Sequence, residues 1–309
     1  MTTDQTTLRP SLPTKQSTSE GYTLNDWRAL GGMEQVGDHS LFVIDSGAEA
    51  NQDVIVLIHG FPTSSWDWHK QWDALCARYR VIAMDLLGFG YSDKPRQRYS
   101  IHEQADLVLA LLAARGVSRC ALLAHDYGDT VAQEILARCR QQAAPTIVAA
   151  CLLNGGLFPE THRARFAQKL LVGPAGGLFV RLMGRAALER NLTAVFGRET
   201  PPSQTELDNF WQLMNYNNGR SNMHRLMWYI KDRRVHRERW LDALRVSTVP
   251  LALINGSSDP VSGAHMVARY RELVGRGTII ELPTIGHYPQ LEAPDAVTRH
   301  ALTFFEETV

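Results

Sequence analysis

Short apolar runs, each closed by a turn, alternate with stretches whose apolar residues recur at helical spacing. Strand-like runs fall at 41–46, 54–60, 80–88, 119–126 and 146–155. Helix-like stretches at 102–116, closed by Gly116, and at 128–142 separate the later ones. A strand followed by a helix and another strand returns the chain to the same sheet edge, so the strands run parallel and helices cover both faces. The α/β class follows: a mostly parallel sheet flanked by helices.

The rhythm breaks between 156 and 245, where no strand is readable and turn signals fall at Gly173-Pro174, Gly176-Gly177 and Pro201-Pro202. It resumes with a strand at 250–259, a helix near 264–274, a strand at 277–283 and a helix at 295–307. The expected organisation is a polar, flexible arm over 1–20, a core formed by 21–155 with 246–309, and an inserted helical cap over 156–245. At 309 residues, such a sheet and its insertion make one unit.

Lys plus Arg equal Asp plus Glu at 32 each, which argues against a protein built to coat nucleic acid. The cap is basic, with 15 Lys and Arg against 8 Asp and Glu. A solvated basic face explains that excess; contact with a membrane surface carrying anionic lipid is the sharper reading. The four cysteines form no metal-type pair, no apolar run is long enough to span a membrane, and the N-terminus lacks a secretory apolar stretch. A cytoplasmic protein without a metal or cofactor is expected, and no GxGxxG opens a βαβ unit.

Four short segments stand where predicted strands end. Ala124-His125-Asp126-Tyr127-Gly128 places small residues two positions either side of Asp126, the layout of a nucleophile elbow. His59-Gly60-Phe61-Pro62 follows the strand at 54–58. Asp259 follows the strand at 250–254, and His287 the strand at 277–283. Singly, each could be a cap or turn residue. Together they give the order nucleophile, acid, histidine at one sheet edge, where open α/β sheets bind ligands.

The stretches HGFPTSSWDW, DLLGFGYSDKPR, HDYGDTVAQE, NGGLFPETHR and HYPQLEAP carry a resemblance that runs from about residue 50 to the C-terminus. The sequence resembles an α/β-hydrolase of the epoxide hydrolase and haloalkane dehalogenase branch, and within it the mesoderm-specific transcript family. That implies the α/β-hydrolase fold with a helical cap. It also implies an oxyanion hole from the backbone N–H groups of Phe61 and Tyr127.

An aspartate at the elbow, where serine is usual, points to attack on a saturated carbon. Serine would leave an ether there, whereas a carboxylate leaves an ester that activated water can cleave. His287 is the expected base for that cleavage, oriented by Asp259. An epoxide oxygen needs a proton as it leaves. The resemblance places a proton-donating tyrosine at Tyr229, within Leu226-Met227-Trp228-Tyr229, and leaves Tyr216 as the other cap tyrosine. A halide needs N–H donors instead. Tyr127 and Phe61 stand where dehalogenases commonly carry such donors, leaving Trp211 and Trp228 as cap candidates. His59, Trp211, Tyr216 and Trp228 form the expected substrate-binding set. The expected activity is epoxide hydrolysis on a small, largely apolar molecule with water as co-substrate. Haloalkane dehalogenation is the alternative, and a hydrolase-fold binding or lipid-contact protein a further one.

Overall fold

The computed structural model describes residues 21–47, 52–140, 145–163, 170–171, 173 and 176–309. The arm expected over 1–20 lies outside them. Eight strands form one sheet: β1 Gly32–Val36, β2 His39–Asp45, β3 Val54–Ile58, β4 Arg80–Met84, β5 Arg119–His125, β6 Thr146–Leu153, β7 Leu251–Gly256 and β8 Thr278–Leu282. Their order is β1-β2-β4-β3-β5-β6-β7-β8. β2 runs antiparallel to β1 and β4, and every pairing from β4 to β8 is parallel.

β3 and β7 are buried at every position and β5 at all but Arg119. Their Val, Ile, Leu and Ala runs suit strands covered on both faces, and such strands belong at the centre of a sheet. The sequence reading missed β1 and the helix Leu24–Leu30. A signal was present: Val36 pairs with His39 across Gly37-Asp38, and Gly37 has φ 58°. That is a two-residue hairpin turn needing a left-handed residue.

Between β6 and β7 no strand occurs among the described residues. Helices run Gly176–Leu182, Arg185–Thr193, Gln204–Asn215, Met223–Leu226, Tyr229–Val235 and Arg237–Arg245. Gly176-Gly177, expected as a turn, opens a helix instead. Pro201-Pro202 ends just before a capping box, in which the Ser203 hydroxyl and the Glu206 carboxylate each accept the other residue's backbone N–H. The helix Arg237–Arg245 packs on the helix Tyr127–Cys139 that follows β5. Glu134, 1% exposed, fastens the two by accepting from Arg239 Nε at 2.8 Å and Trp240 Nε1 at 2.7 Å. No helix among the described residues is long and apolar enough to cross a membrane.

Candidate active site

β5 ends at His125, and the chain reverses into the helix Tyr127–Cys139 through Asp126, at φ 47° and ψ −102°. A non-glycine residue in this region is strained, at a cost of about 1–3 kcal/mol, and is retained only where packing holds it. Neighbouring small residues make the reversal feasible. A Cβ on Gly128 would stand 2.4 Å from the Ile58 carbonyl oxygen. One on Gly60 would stand 2.5 Å from His125 Nδ1 and 3.0 Å from Asp126 Cβ. The turn lifts the Asp126 carboxylate above the sheet's carboxyl edge, with the residue 5% exposed.

His287 and Asp259 meet it there. His287 Nδ1 lies 2.7 Å from Asp259 Oδ2, and Nε2 lies 3.9 Å from Asp126 Oδ2, beyond hydrogen-bond range. Burial alone would favour neutral imidazole. The Asp259 charge and hydrogen bond, with the Asp126 charge, outweigh it and push the His287 pKa up to about 9. Burial disfavours the Asp259 carboxylate, yet His287 and the hydrogen-bond donors around it bring its pKa down to about 2. His287 and Asp259 thus rest as an ion pair with the proton held on His287, and Nε2 faces the nucleophile.

The Phe61 amide donates to Asp126 Oδ2 at 3.1 Å. Asp126 accepts no capping bond from the helix it precedes, so Tyr127's amide does not yet share that oxygen. Asp85 anchors the loop carrying Phe61: its Oδ1 accepts from the Ser65 amide at 2.8 Å and its Oδ2 from the Tyr91 amide at 2.7 Å.

The remaining sequence candidates divide. Tyr229 is 1% exposed, its ring 4.8 Å from that of Tyr127 and 6.4 Å from that of Phe61. Burial first, then the Asp126 charge, raises its phenol pKa, while Arg233 pulls the other way. His59 is fully buried and supports the backbone: Nε2 accepts from the Leu86 amide at 3.0 Å, leaving Nδ1 to donate to the Gly60 carbonyl at 2.8 Å. Trp211 lies under Arg220 at 5.0 Å. Trp228 is flanked by Arg98 at 3.9 Å and Lys231 at 3.6 Å. Tyr216 stacks edge-on to Tyr91 at 5.0 Å beside Arg28 and Lys94.

A cavity of about 80 Å³ opens on Asp126 and His287. Phe61, Pro62, Val261 and Tyr288 form its floor, and Leu171, Met183, Leu188, Asn191, Leu192, Val195 and Met223 its roof. His59, Trp211, Tyr216, Trp228 and Tyr229 are not among its described lining residues. The site therefore lies between the insertion and the carboxyl edge, and its walls are aliphatic.

A family model described as alpha/beta hydrolase fold matches residues 53–294. This chain belongs to the α/β-hydrolase family. Over 282 residues it is 45% identical to the human (Homo sapiens) protein named mesoderm-specific transcript homolog protein, covering 88% of this chain and 84% of that one. It is 36% identical over 107 residues to epoxide hydrolase 3 of Xenopus tropicalis, covering 34% and 29% of the two chains. The crystal structure of a loop variant of the haloalkane dehalogenase DbeA from Bradyrhizobium elkanii superposes with a TM-score of 0.77 at 22% identity, over 90% of this chain and 96% of that one. That last likeness is one of fold.

In this α/β-hydrolase, several residues beyond the sequence candidates surround the site. Asn154, at φ 46°, donates from Nδ2 to Asp259 Oδ2 at 3.0 Å, and the Ser262 hydroxyl donates to the same oxygen at 2.8 Å. Glu292 accepts from the amides of Gly286 at 2.8 Å, Tyr288 at 2.9 Å and Gly197 at 2.7 Å, joining the His287 loop to the insertion. Asn154 and Glu292 lie inside NGGLFPETHR and HYPQLEAP, so an asparagine at a strand end and an acid five residues past the histidine were the available signals. Arg233 approaches Asp126 Oδ1 at 3.8 Å and lies in none of the quoted stretches, whereas His162, which also feels the Asp126 charge, lies inside NGGLFPETHR.

Proposed function

We propose that this α/β-hydrolase opens a carbon–oxygen bond at a saturated carbon, that of an epoxide, through an ester formed on Asp126. The observation that carries this is a carboxylate, where a serine hydroxyl would stand, 3.9 Å from an imidazole that is itself bonded to a second carboxylate.

Asp126 Oδ2 is engaged by the Phe61 amide, which leaves Oδ1 to attack. The carbon–oxygen bond breaks, its electron pair leaves with oxygen, and Oδ2 becomes the ester carbonyl. With the Asp126 charge gone, His287 releases its Nε2 proton to solvent, and water held at the freed nitrogen adds to Asp126 Cγ, giving a proton to the ring. The oxyanion forms where the Phe61 amide already points. Its collapse breaks the ester carbon–oxygen bond, the leaving alkoxide takes the proton from His287, and the Asp126 carboxyl proton returns to His287. The reaction also tunes its own base. Asp126's negative charge helps to keep His287 protonated; alkylation removes that charge, so the imidazole becomes a readier proton acceptor when the ester needs hydrolysis.

Tyr229, like Trp211 and Trp228, is not among the described lining residues of the cavity and lies under a cation. What favours it, and with it an epoxide over a halide, is that its ring packs on those of Phe61 and Tyr127, the residues on either side of the Asp126 carboxylate, whereas the two tryptophans have no such contact. The aliphatic roof suits a small apolar substrate. The test is purified protein assayed against matched epoxides and bromoalkanes, reading diol and bromide. Diol release with a transient alkyl adduct on Asp126 is expected. Turnover of neither class, or an adduct on another residue, would overturn this function.

A further inference from the structure

Arg233 is 2% exposed and lies beside the nucleophile. Its Nε donates to Thr130 Oγ1 at 2.8 Å and its Nη2 to the Asp126 carbonyl at 3.2 Å. Nη2 also lies 3.8 Å from Asp126 Oδ1, the oxygen not engaged by Phe61. The guanidinium stands 4.5 Å over the Tyr229 ring. Its third nitrogen, Nη1, is buried without a hydrogen-bond partner among the described residues. His162 is in the same condition, with both ring nitrogens buried and unpartnered. Both groups border one spot: a Cβ on Gly156 would stand 2.4 Å from Arg233 Nη1 and 3.4 Å from His162 Nδ1.

A buried guanidinium needs a counter-ion. Two nearby acids do not serve. Asp129 turns one carboxylate oxygen to the Leu153 amide at 3.3 Å, and burial raises its pKa well above the ordinary carboxylate value, against the pull of Arg233. Asp232 turns to Arg98 at 3.4 Å. Asp126 remains, and the proposed reaction turns it into a neutral ester. Arg233 then faces a buried site whose negative charge has moved to the departing atom.

We propose that Arg233 Nη1 and His162 form a subsite for a small monoanion beside Asp126, which takes up the negative charge that the nucleophile surrenders. The inference rests on the aspartate-nucleophile function. The ligand chemistry is a singly charged acceptor: the alkoxide oxygen of an opened epoxide or a departing halide. Arg233 would hold either, with Tyr229 delivering the proton that only the alkoxide needs. His162 stays neutral here, because burial and the Arg233 charge bring its pKa down to about 4. It contributes one N–H and no competing charge.

Bromide is the probe, because its binding needs no turnover. Its dissociation constant is measured by bromine NMR line broadening on the full chain, with Asp126→Asn standing in for the neutral ester. Removing a negative charge a few ångström from the subsite should tighten bromide by at least about tenfold. Arg233→Met in the Asp126→Asn background should abolish that gain, and His162→Phe should reduce it. An anomalous bromide peak within reach of Arg233 Nη1 is expected in crystals of Asp126→Asn. If Arg233→Met does not fold, Gly156→Ala takes its place, because the added methyl would displace Nη1. Single-turnover alkylation of otherwise wild-type Arg233→Met separates the two sources: slowing with epoxides assigns the alkoxide, and slowing with bromoalkanes assigns the halide. Bromide that binds wild type and Asp126→Asn equally, or a gain that survives Arg233→Met, overturns the subsite. Such a result would leave the adduct test of Asp126 standing, so the two failures are distinguishable.

Discussion

The strand-end half of the site and the helical half are built by different means. Asp126, Asp259 and His287 each follow a parallel strand within a few residues and are fixed by backbone: a strained turn at Asp126, the Val261 amide on Asp259 Oδ1 at 2.7 Å, and the His287 amide on the Val195 carbonyl at 2.9 Å. The helical half contributes aliphatic side chains to the roof, while its polar members Tyr229 and Arg233 approach through side-chain packing. Backbone fixes position to tenths of an ångström and tolerates little change. Packed side chains can be exchanged more freely. The lower half should therefore govern whether chemistry happens, and the upper half which molecule undergoes it.

The sharpest way to break that division is to remove the nucleophile and the base in turn. Asp126→Ala should lose all turnover. His287→Gln should accumulate the alkyl adduct on Asp126, visible by intact mass, while losing about 10⁴-fold or more in multiple turnover. A His287 variant that turns over freely would place the chemistry elsewhere. Asp259→Asn tests the orienting bond. We expect ester hydrolysis to slow by up to about 10⁴-fold, as when a triad histidine is left in the wrong tautomer. Alkylation measured by rapid quench should change far less.

Tyr229→Phe probes the helical half at its expected proton donor. Alkylation by an epoxide should slow by about 10²–10⁴-fold, the usual worth of a general acid, and alkylation by a bromoalkane much less. Equal rates for variant and wild type on epoxides would remove Tyr229 from the chemistry and leave the Arg233 subsite as the insertion's share in it. Leu192→Ala enlarges the roof. It should shift kcat/KM between substrates differing by one methylene by about tenfold, with the adduct chemistry intact.

The smallest effect is on stability against pH. The pKa of His287 is raised from 6.5 to about 9, so its contribution is complete below about pH 6.5 and disappears as pH climbs through about 9. The pKa of Asp259 is lowered from 3.8 to about 2, so its contribution is complete above about pH 4 and disappears as pH falls through about 2. Thermal unfolding followed across pH 2–10 should show both losses. NMR titration of His287 in Asp126→Asn should give a lower pKa than in wild type, since one of the charges raising it is gone.

How much was legible follows from the same division. Strand-end residues carry local signatures, because a tight reversal demands small neighbours and an exposed functional group. Ala124, Gly128 and Gly60 mark Asp126 for that reason. The central strands read correctly because burial on both faces leaves continuous apolar runs. β1 went unread, since it is an edge strand with one buried residue, Val36. In the insertion, the rotation of each helix decides whether an aromatic faces the cavity, and sequence spacing does not fix that rotation. His59, Trp211, Tyr216 and Trp228 were candidates by residue type, and the packing turns them to other partners. Arg233 escaped because its partners Thr130 and Asp126 lie more than a hundred residues away in the chain, whereas two of the bonds of Glu292 are local to the His287 loop.

The bond between Asn154 and Asp259 spans 105 residues, and that between the Phe61 amide and Asp126 spans 65. The nucleophile and its oxyanion donor belong to the first six strands, whereas the acid and the base arrive only with the last two. Contacts of such separation form late when a chain folds, because loop closure comes before their reward. A refolding chain should therefore acquire most of its sheet spectrum before its catalytic competence, and returning activity would time the docking of β7 and β8.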